Sequence, residues 1–347
     1  MSTRRLRVSL TAGGFALLLL AGMLASALLG QLPVSPAEVL GALLHGIGVE
    51  NAWAPADPLI ESTLWVVRFP RLVMAMAVGA ALATAGAVMQ AIFGNPLAEP
   101  GVVGVSAGAA LGAAAGIVLG AEAWGEWAVA LLAFVGGLLA TLLVYFVARA
   151  NGRAEVVTLL LTGIAVNAFA GAGLAFLIFA ADAASREQII FWQLGSLSGS
   201  LWSETGLVFI VTVLGVVASA TLSRRFDLLA LGERNARHLG IDVERLRIGS
   251  IVIVAVLTAA GVAFVGIIAF VGLVVPHLVR MLVGPGHRAL IPLSALGGAV
   301  LLVLADLLAR TIISGAELPI GMLTSLVGGP FFFFLLWRQR RRSGGWA

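Results

Sequence analysis

Ten apolar stretches divide the chain. The first runs from Val8 to Leu32, behind Arg4, Arg5 and Arg7. Others lie near Leu72–Phe93, Val102–Leu119, Trp127–Val147, Val156–Ala180, Leu207–Leu222, Ile248–Val265, Ile267–Val283, Leu290–Leu308 and Leu318–Trp337. A membrane-spanning helix needs about 20 predominantly apolar residues. The pattern therefore predicts an all-α integral membrane protein with about ten transmembrane helices, in one domain over 1–347. Ala25-Ser26-Ala27 has the look of a signal-peptidase site. The run is longer than the roughly 7–15-residue apolar core of a signal peptide, and more spans follow, so it is read as a span.

The polar segments carry their own signals. The longest outer loop covers about 33–63 and contains Ser35-Pro36-Ala37-Glu38, a capping box with proline at the first helical position. Val39, Leu40, Leu43, Leu44 and Ile47 then suggest one apolar face, as on a short helix lying in the outer interface. His45 on that helix reads as a polar-face residue, with a substrate ligand as the alternative. Gly104, Gly108, Gly112, Gly116 and Gly120 recur at every fourth position. On a helix this makes a groove for close packing. A glycine-lined conduit is the alternative, and a turn could interrupt the run. The stretch 223–247 is the largest polar block inside the apolar region. Leu231 to Leu239 reads as a short helix stopped by Gly240, and Asp242 as the cap of a second short helix. The block is either a solvated basic loop or a docking element for a cytoplasmic partner.

Charge orients the spans. Alternating them gathers 17 of the 21 arginines on one side: 4, 5, 7, 149, 153, 224, 225, 234, 237, 245, 247, 280, 288, 338, 340, 341 and 342. Excess arginine marks the cytoplasmic face. Both termini are therefore expected inside, and Arg68, Arg71, Arg186 and Arg310 are the exceptions. The high sequence pI, about 11.0, follows from arginines that flank spans. They form no stripe interleaved with aromatics, so nucleic-acid binding is not expected.

Composition narrows the chemistry. Hydrophobic residues make up 60% and charged ones 11%, well below the roughly 25% charged of a soluble domain. Cysteine is absent, which excludes disulfides and thiolate metal sites. Lysine is absent too, since every basic residue is arginine. A phosphate-binding P-loop needs its lysine, so ATP-driven transport would require a separate ATPase chain. No HExxH and no nucleophile beside a base occurs, so neither an enzyme, a metal site nor a bound cofactor is expected. Asp306 and Arg310, four apart, can pair on one helix. Glu99, between Asn95-Pro96 and Pro100, is expected at a membrane edge. Few carboxylates lie within the spans, which disfavours an ion-coupled secondary carrier.

Several motifs together resemble the FecCD-type permeases. They are Arg68-Phe-Pro-Arg71, Gly79-Ala-Ala-Leu82, Gly86-Ala-Val-Met-Gln90, Asn95-Pro-Leu-Ala-Glu-Pro100 and Gly101-Val-Val-Gly-Val-Ser106. The likeness continues through Phe191-Trp-Gln-Leu-Gly-Ser-Leu-Ser-Gly199, Leu229-Ala-Leu-Gly-Glu233 and Ala236-Arg-His-Leu-Gly240. It resumes at Phe270-Val-Gly-Leu-Val-Val-Pro-His277, Ala305-Asp-Leu-Leu-Ala-Arg310, Glu317-Leu-Pro-Ile-Gly321 and Gly329-Pro330-Phe331. The resemblance covers roughly residues 60–340.

What the resemblance implies is the fold of a type II ATP-binding-cassette importer permease in a bacterial inner membrane. It implies a homodimer with two copies of a cytoplasmic ATPase below and a periplasmic or lipid-anchored binding protein above. It implies that the 229–240 block is a coupling helix, with Gly232, Glu233, Arg234 and Arg237 as the contact face toward the ATPase. It also implies that Arg68, Arg71 and Arg310 face acidic residues of the binding protein; snorkelling, or Arg310 simply satisfying Asp306, is the alternative. The substrate would be an iron chelate. The stretches Gln188–Leu197, Leu282–Arg288 and Gly328-Gly-Pro-Phe-Phe332 are most similar to the haem branch, with ferric siderophore and cobalamin as alternatives.

Overall fold

The computed structural model describes residues 3–150, 153–313 and 315–342. A helix forms over each of the ten apolar stretches. In chain order the elements are α1 (Thr3–Leu28), α2 (Pro36–Gly46), α3 (Pro58–Ser62), α4 (Phe69–Phe93), α5 (Val105–Val118), α6 (Ala128–Ala148), α7 (Val156–Ala180) and α8 (Ala183–Leu194). They continue with α9 (Trp202–Thr221), α10 (Ser223–Leu229), α11 (Glu233–His238), α12 (Val243–Val265), α13 (Val271–Val283), α14 (His287–Thr311) and α15 (Ile320–Arg342). A two-residue antiparallel ladder pairs Arg149–Ala150 with Arg153–Ala154. Seven helical segments are long and apolar enough to cross a membrane: α1, the α3–α4 unit Pro58–Phe93, α6, α7, α9, α12 and α14. Val105–Val118, Val271–Val283 and Ile320–Leu335 are shorter apolar helices. At about 1.5 Å per residue, the 14 residues of α5 span only about 21 Å.

α4 is the central helix, buried along nearly its whole length against α9, α12, α13 and α14. Glycine sets how closely its neighbours approach. A Cβ at Gly86 would lie 1.8 Å from the Gly272 carbonyl oxygen, and one at Gly79 would lie 2.2 Å from that of Gly298. The glycine run on α5 packs against α6: a Cβ at Gly108 would lie 2.4 Å from the Gly136 oxygen, and one at Gly112 would lie 2.2 Å from the Leu132 oxygen. The packing reading of that run holds. The turn allowed for is also present, because Pro100–Val103 forms a 3-10 turn and Gly104, at φ +87°, starts α5. Outward, α1 and α7 bury little of their length, leaving apolar surface where a bilayer or another subunit is the solvent.

Three boundaries differ from expectation. The helix leading into α4 starts at Pro58, because Asp57 caps it and the chain stays helical to Phe93, passing Pro70 with a change of register. Arg68 and Arg71 are therefore inside a helix, not in a loop. The bonding register shifts to i→i−5 over Thr63–Arg68, just ahead of Pro70, which lacks an N–H to continue the ordinary pattern. Asp242 caps no second short helix. Its side chain accepts from the Arg245 amide at the start of α12, which runs unbroken to Val265. The expected short helix and the span after it are one element, because nothing between Val243 and Val265 breaks a helix. Finally, α11 starts at Glu233, since Gly232 sits at φ +98° and ends any helix arriving from Leu231.

The outer loop helix forms with its capping box complete. Ser35 Oγ accepts from the Glu38 amide at 3.2 Å, and Glu38 accepts from the Ser35 amide at 2.8 Å. These bonds hold the Glu38 carboxyl below its ordinary range. Val39 and Ala42 pack inward while Leu40 and Leu43 stay exposed; Ile47 lies past the helix end. His45 bonds Glu61 at 2.6 Å, a polar contact within the loop.

Candidate functional site

Two charged clusters sit at opposite ends of α4, whose 25 residues separate them by about 37 Å. The cluster at its start holds all three arginines expected to face a binding protein. Arg71 Nε donates to Asp306 at 3.0 and 3.2 Å, and Arg71 Nη1 donates to Glu317 at 2.9 and 3.0 Å. Arg68 donates to the carbonyls of Ala27, Leu28 and Leu32 at the end of α1. Arg310 donates to Leu29 O and to Ser26, and its Nε is 3.4 Å from Asp306. The expected Asp306–Arg310 pair exists, but Arg71 is the nearer partner at 2.9 Å. Arg68, Arg71 and Asp306 are buried, at 6%, 8% and 2% exposed.

Arg68, Arg71, Arg310 and Glu317 line a cavity of about 260 Å³ with Gly30, Gln31, Thr63 and Val67. Counting buried Asp306, which pairs with Arg71, the cluster sets three guanidiniums against two carboxylates and carries one positive charge in excess. Buried ions must be paired to be tolerated, and Arg71 and Asp306 satisfy each other. Arg68 is instead solvated by helix-end carbonyls, the negative pole of α1. Arg186, the fourth exception to the charge rule, bonds the carbonyls of Ile178 and Ala181 at the end of α7 in the same manner.

The second cluster is built on the 223–247 block. Gly232, Arg234 and Arg237 are exposed, as are Leu231 and Leu239, while Ala236 anchors α11 inward. Glu233 accepts from Arg237 at 3.1 Å and from Arg247 at 2.5 Å. The Arg247 side chain, on the first turns of α12, is only 4% exposed. The short helix is therefore clamped to the base of a spanning helix. A parallel tie joins α10 to α14: Asp227 accepts from the His287 amide at 2.9 Å and contacts His287 Nδ1 at 2.7 Å, and Phe226 stacks near the imidazole.

Sequence reasoning missed Glu317 and Asp306 as partners of Arg71, and Arg247 as the anchor of Glu233. Arg71 and Asp306 are 235 residues apart, so no local spacing signals their contact. Glu233 and Arg247 are 14 apart with Gly240 between them, outside any helical register. Glu99 sits less peripherally than expected: it lines a cavity of about 140 Å³ with Leu82, Thr258 and Phe270.

Comparisons with known proteins agree with this architecture. The model of the FecCD transport family matches residues 18–338. The chain is 40% identical over 292 residues to the "Hemin transport system permease protein HmuU" of Yersinia pestis, covering 81% of this chain and 85% of the relative. It is 43% identical over 270 residues to the "Cobalamin import system permease protein BtuC" of Halobacterium salinarum, covering 78% and 72%. Among solved structures, an inward-facing ABC transporter assigned to the metal-chelate type aligns with TM-score 0.82 at 32% identity, covering 94% of this chain and 98% of that one.

Proposed function

This chain belongs to the FecCD transport family, and from that membership we propose that it is the haem permease of an ATP-driven importer, working as a homodimer with two ATPase copies and an outer binding protein. The chain is a multi-pass permease of a type II ABC importer for metal chelates. Haem is favoured by the HmuU relative and by the haem-like stretches Gln188–Leu197 and Leu282–Arg288. Cobalamin is the second reading, because a relative of that name is equally similar; ferric siderophore is the third. The bacterial inner membrane, with both termini in the cytoplasm, is the location proposed from the arginine distribution.

The observation that carries the mechanism is the clamp of Glu233 on buried Arg247. A force applied to Gly232, Arg234 and Arg237 by an ATPase moves α11, and the clamp makes the base of α12 move with it. Packed helices shift as bodies between discrete arrangements rather than bending continuously. Closure of the ATPases would thereby re-orient the spans, while the substrate drives the switch only as far as it binds the two states differently. At the other end, the positive excess of Arg68, Arg71 and Arg310 suits an acidic docking residue of the binding protein. The charge would set encounter rate and register more than affinity.

The test is iron-limited growth of a strain lacking the chain, with haem or a ferric siderophore as sole iron source and cobalamin uptake measured beside it. Loss of growth on haem alone is expected. Loss on the siderophore alone, or of cobalamin uptake alone, overturns the haem assignment and leaves the permease assignment standing.

A further inference from the structure

At the Phe93 end of α4 lies a cavity of about 460 Å³, between α4, the α10–α11 segment and the α13–α14 turn. Gln90, Ala230, Gly232, Glu233, Arg280 and His287 contribute to its wall. Three of these side chains carry unused polar groups. One is Gln90, whose Nε2 bonds the Gly272 and Leu273 carbonyls and whose Oε1, an acceptor, has no partner among the described residues. The other two are donors or can become so. Arg280, half-buried in the last turn of α13, makes no hydrogen bond or ion pair among the described residues. A guanidinium carries five N–H donors, and withdrawing them from water without an acceptor is costly. His287 is 6% exposed, and its Nε2 has no partner among the described residues, whereas its Nδ1 faces Asp227. With Asp227 on Nδ1, Nε2 becomes a second donor only in the protonated ring, the form that burial and the neighbouring Arg280 oppose and an arriving carboxylate favours.

The acidic groups near the cavity are already engaged. Glu233 is paired with Arg237 and Arg247, and Asp227 with His287. What the wall offers is therefore an unmatched cation, with room for a side chain in front of it. Two wall residues, Gly232 and Glu233, belong to the segment assigned above to the ATPase, so a protein seated on Arg234 and Arg237 covers the cavity mouth.

We propose that this cavity is a socket for a carboxylate side chain of the partner ATPase, with Arg280 as its principal donor and His287 as the second. The proposal rests on the coupling reading of α11 and adds a charge-specific contact to it. α11 transmits the push, and the socket holds the ATPase in register against α13 and α14, which the surface of α11 alone does not reach.

The chain has no cysteine, so Ala230→Cys places a single thiol on the exposed rim of the socket. In the purified full-length permease, an anionic thiol reagent should modify it several-fold faster than a cationic one of similar size. Arg280→Gln should abolish that preference, and bound ATPase should protect the thiol. In the assembled complex, Arg280→Gln should weaken ATPase association on the order of thirtyfold and flatten its salt dependence, as expected when one side of a desolvated charge pair is removed. Arg280→Lys should restore most of both. Equal rates for the two reagents, or no protection by the ATPase, overturn the socket even if Arg280→Gln fails to fold, because both are read in the otherwise native chain. If Arg234→Glu abolishes assembly while Arg280→Gln leaves affinity and salt slope unchanged, the socket alone falls. If both variants assemble normally, the coupling reading beneath it falls as well.

Discussion

Replacing Arg71 by Met removes the guanidinium and keeps most of the side-chain volume, so its effect reports charge pairing rather than packing. Asp306 is 2% exposed and, among the described residues, would retain Arg310 Nε alone, at 3.4 Å. Breaking a buried ion pair from one side costs about 3–5 kcal/mol, because the remaining charge stays desolvated. The Glu317 side of the bridge adds little: that carboxylate is 39% exposed, where ion pairs contribute about 0–1 kcal/mol. At roughly 2 °C per kcal/mol for a chain of this size, Arg71→Met should lower the apparent Tm by about 6–10 °C. Tryptophan fluorescence in detergent, at one fixed scan rate, would measure it. Glu317→Gln should move the Tm by less than about 2 °C. Arg71→Met combined with Asp306→Asn should recover most of the loss, because no deeply buried carboxylate is left unpaired: Glu317 is 39% exposed, and Arg310 keeps the Leu29 and Ser26 carbonyls. The reasoning is refuted if Arg71→Met melts with the native chain, or if the double variant is no more stable than the single one. A loss of binding-protein docking without any loss of stability would make Arg71 a docking residue rather than a structural one.

Further outcomes follow from the same geometry. Glu233→Ala should abolish transport and ATPase stimulation while leaving the chain monodisperse; unchanged transport would sink the coupling assignment. Arg68→Gln should slow binding-protein association at low salt and leave the dissociation rate nearly unchanged, measured by surface-immobilised kinetics; an unchanged association rate would remove Arg68 from the docking set. Gly86→Ala should collapse the folded yield, because the new Cβ meets the Gly272 carbonyl at 1.8 Å, whereas Gly13→Ala meets nothing within 4 Å and should be silent. The Glu38 carboxyl is held low by Ser35, so its contribution to α2 is complete above the ordinary carboxylate pKa and is lost as pH falls through the lowered folded value. Hydrogen exchange at the first amides of α2 should accelerate over that acid range; Ser35→Ala, which keeps the backbone N–H bond to Glu38, should weaken the pH dependence, and Glu38→Gln should erase it.

Much of the membrane architecture was legible in the order of residues. Apolar length sets which segments leave water, and each of the ten stretches became a helix because a bilayer-buried backbone must satisfy itself internally. The capping box at Ser35 and the packing glycines at 108 and 112 were readable for the same reason: their partners lie within one element or one adjacent pair. Boundaries that depend on uninterrupted continuation, such as Pro58 and Val243, are not marked by apolar length, because the helix runs on through polar residues, Arg68 and Arg71 in one case and Glu244, Arg245 and Arg247 in the other.

Tertiary structure decided the charges. The sequence shows four arginines on the wrong side of a charge rule; only the fold shows that one is locked between Asp306 and Glu317, while another is solvated by the end of α1. It shows a basic, helical polar segment; only the fold ties Glu233 to Arg247 and leaves Arg280 unmatched among the described residues. Hydrophobic burial is additive along a chain and survives ignorance of the partner. An ion pair does not, because its energy depends on a distance of a few ångströms and on local water, and both are set by helices brought together from opposite ends of the sequence.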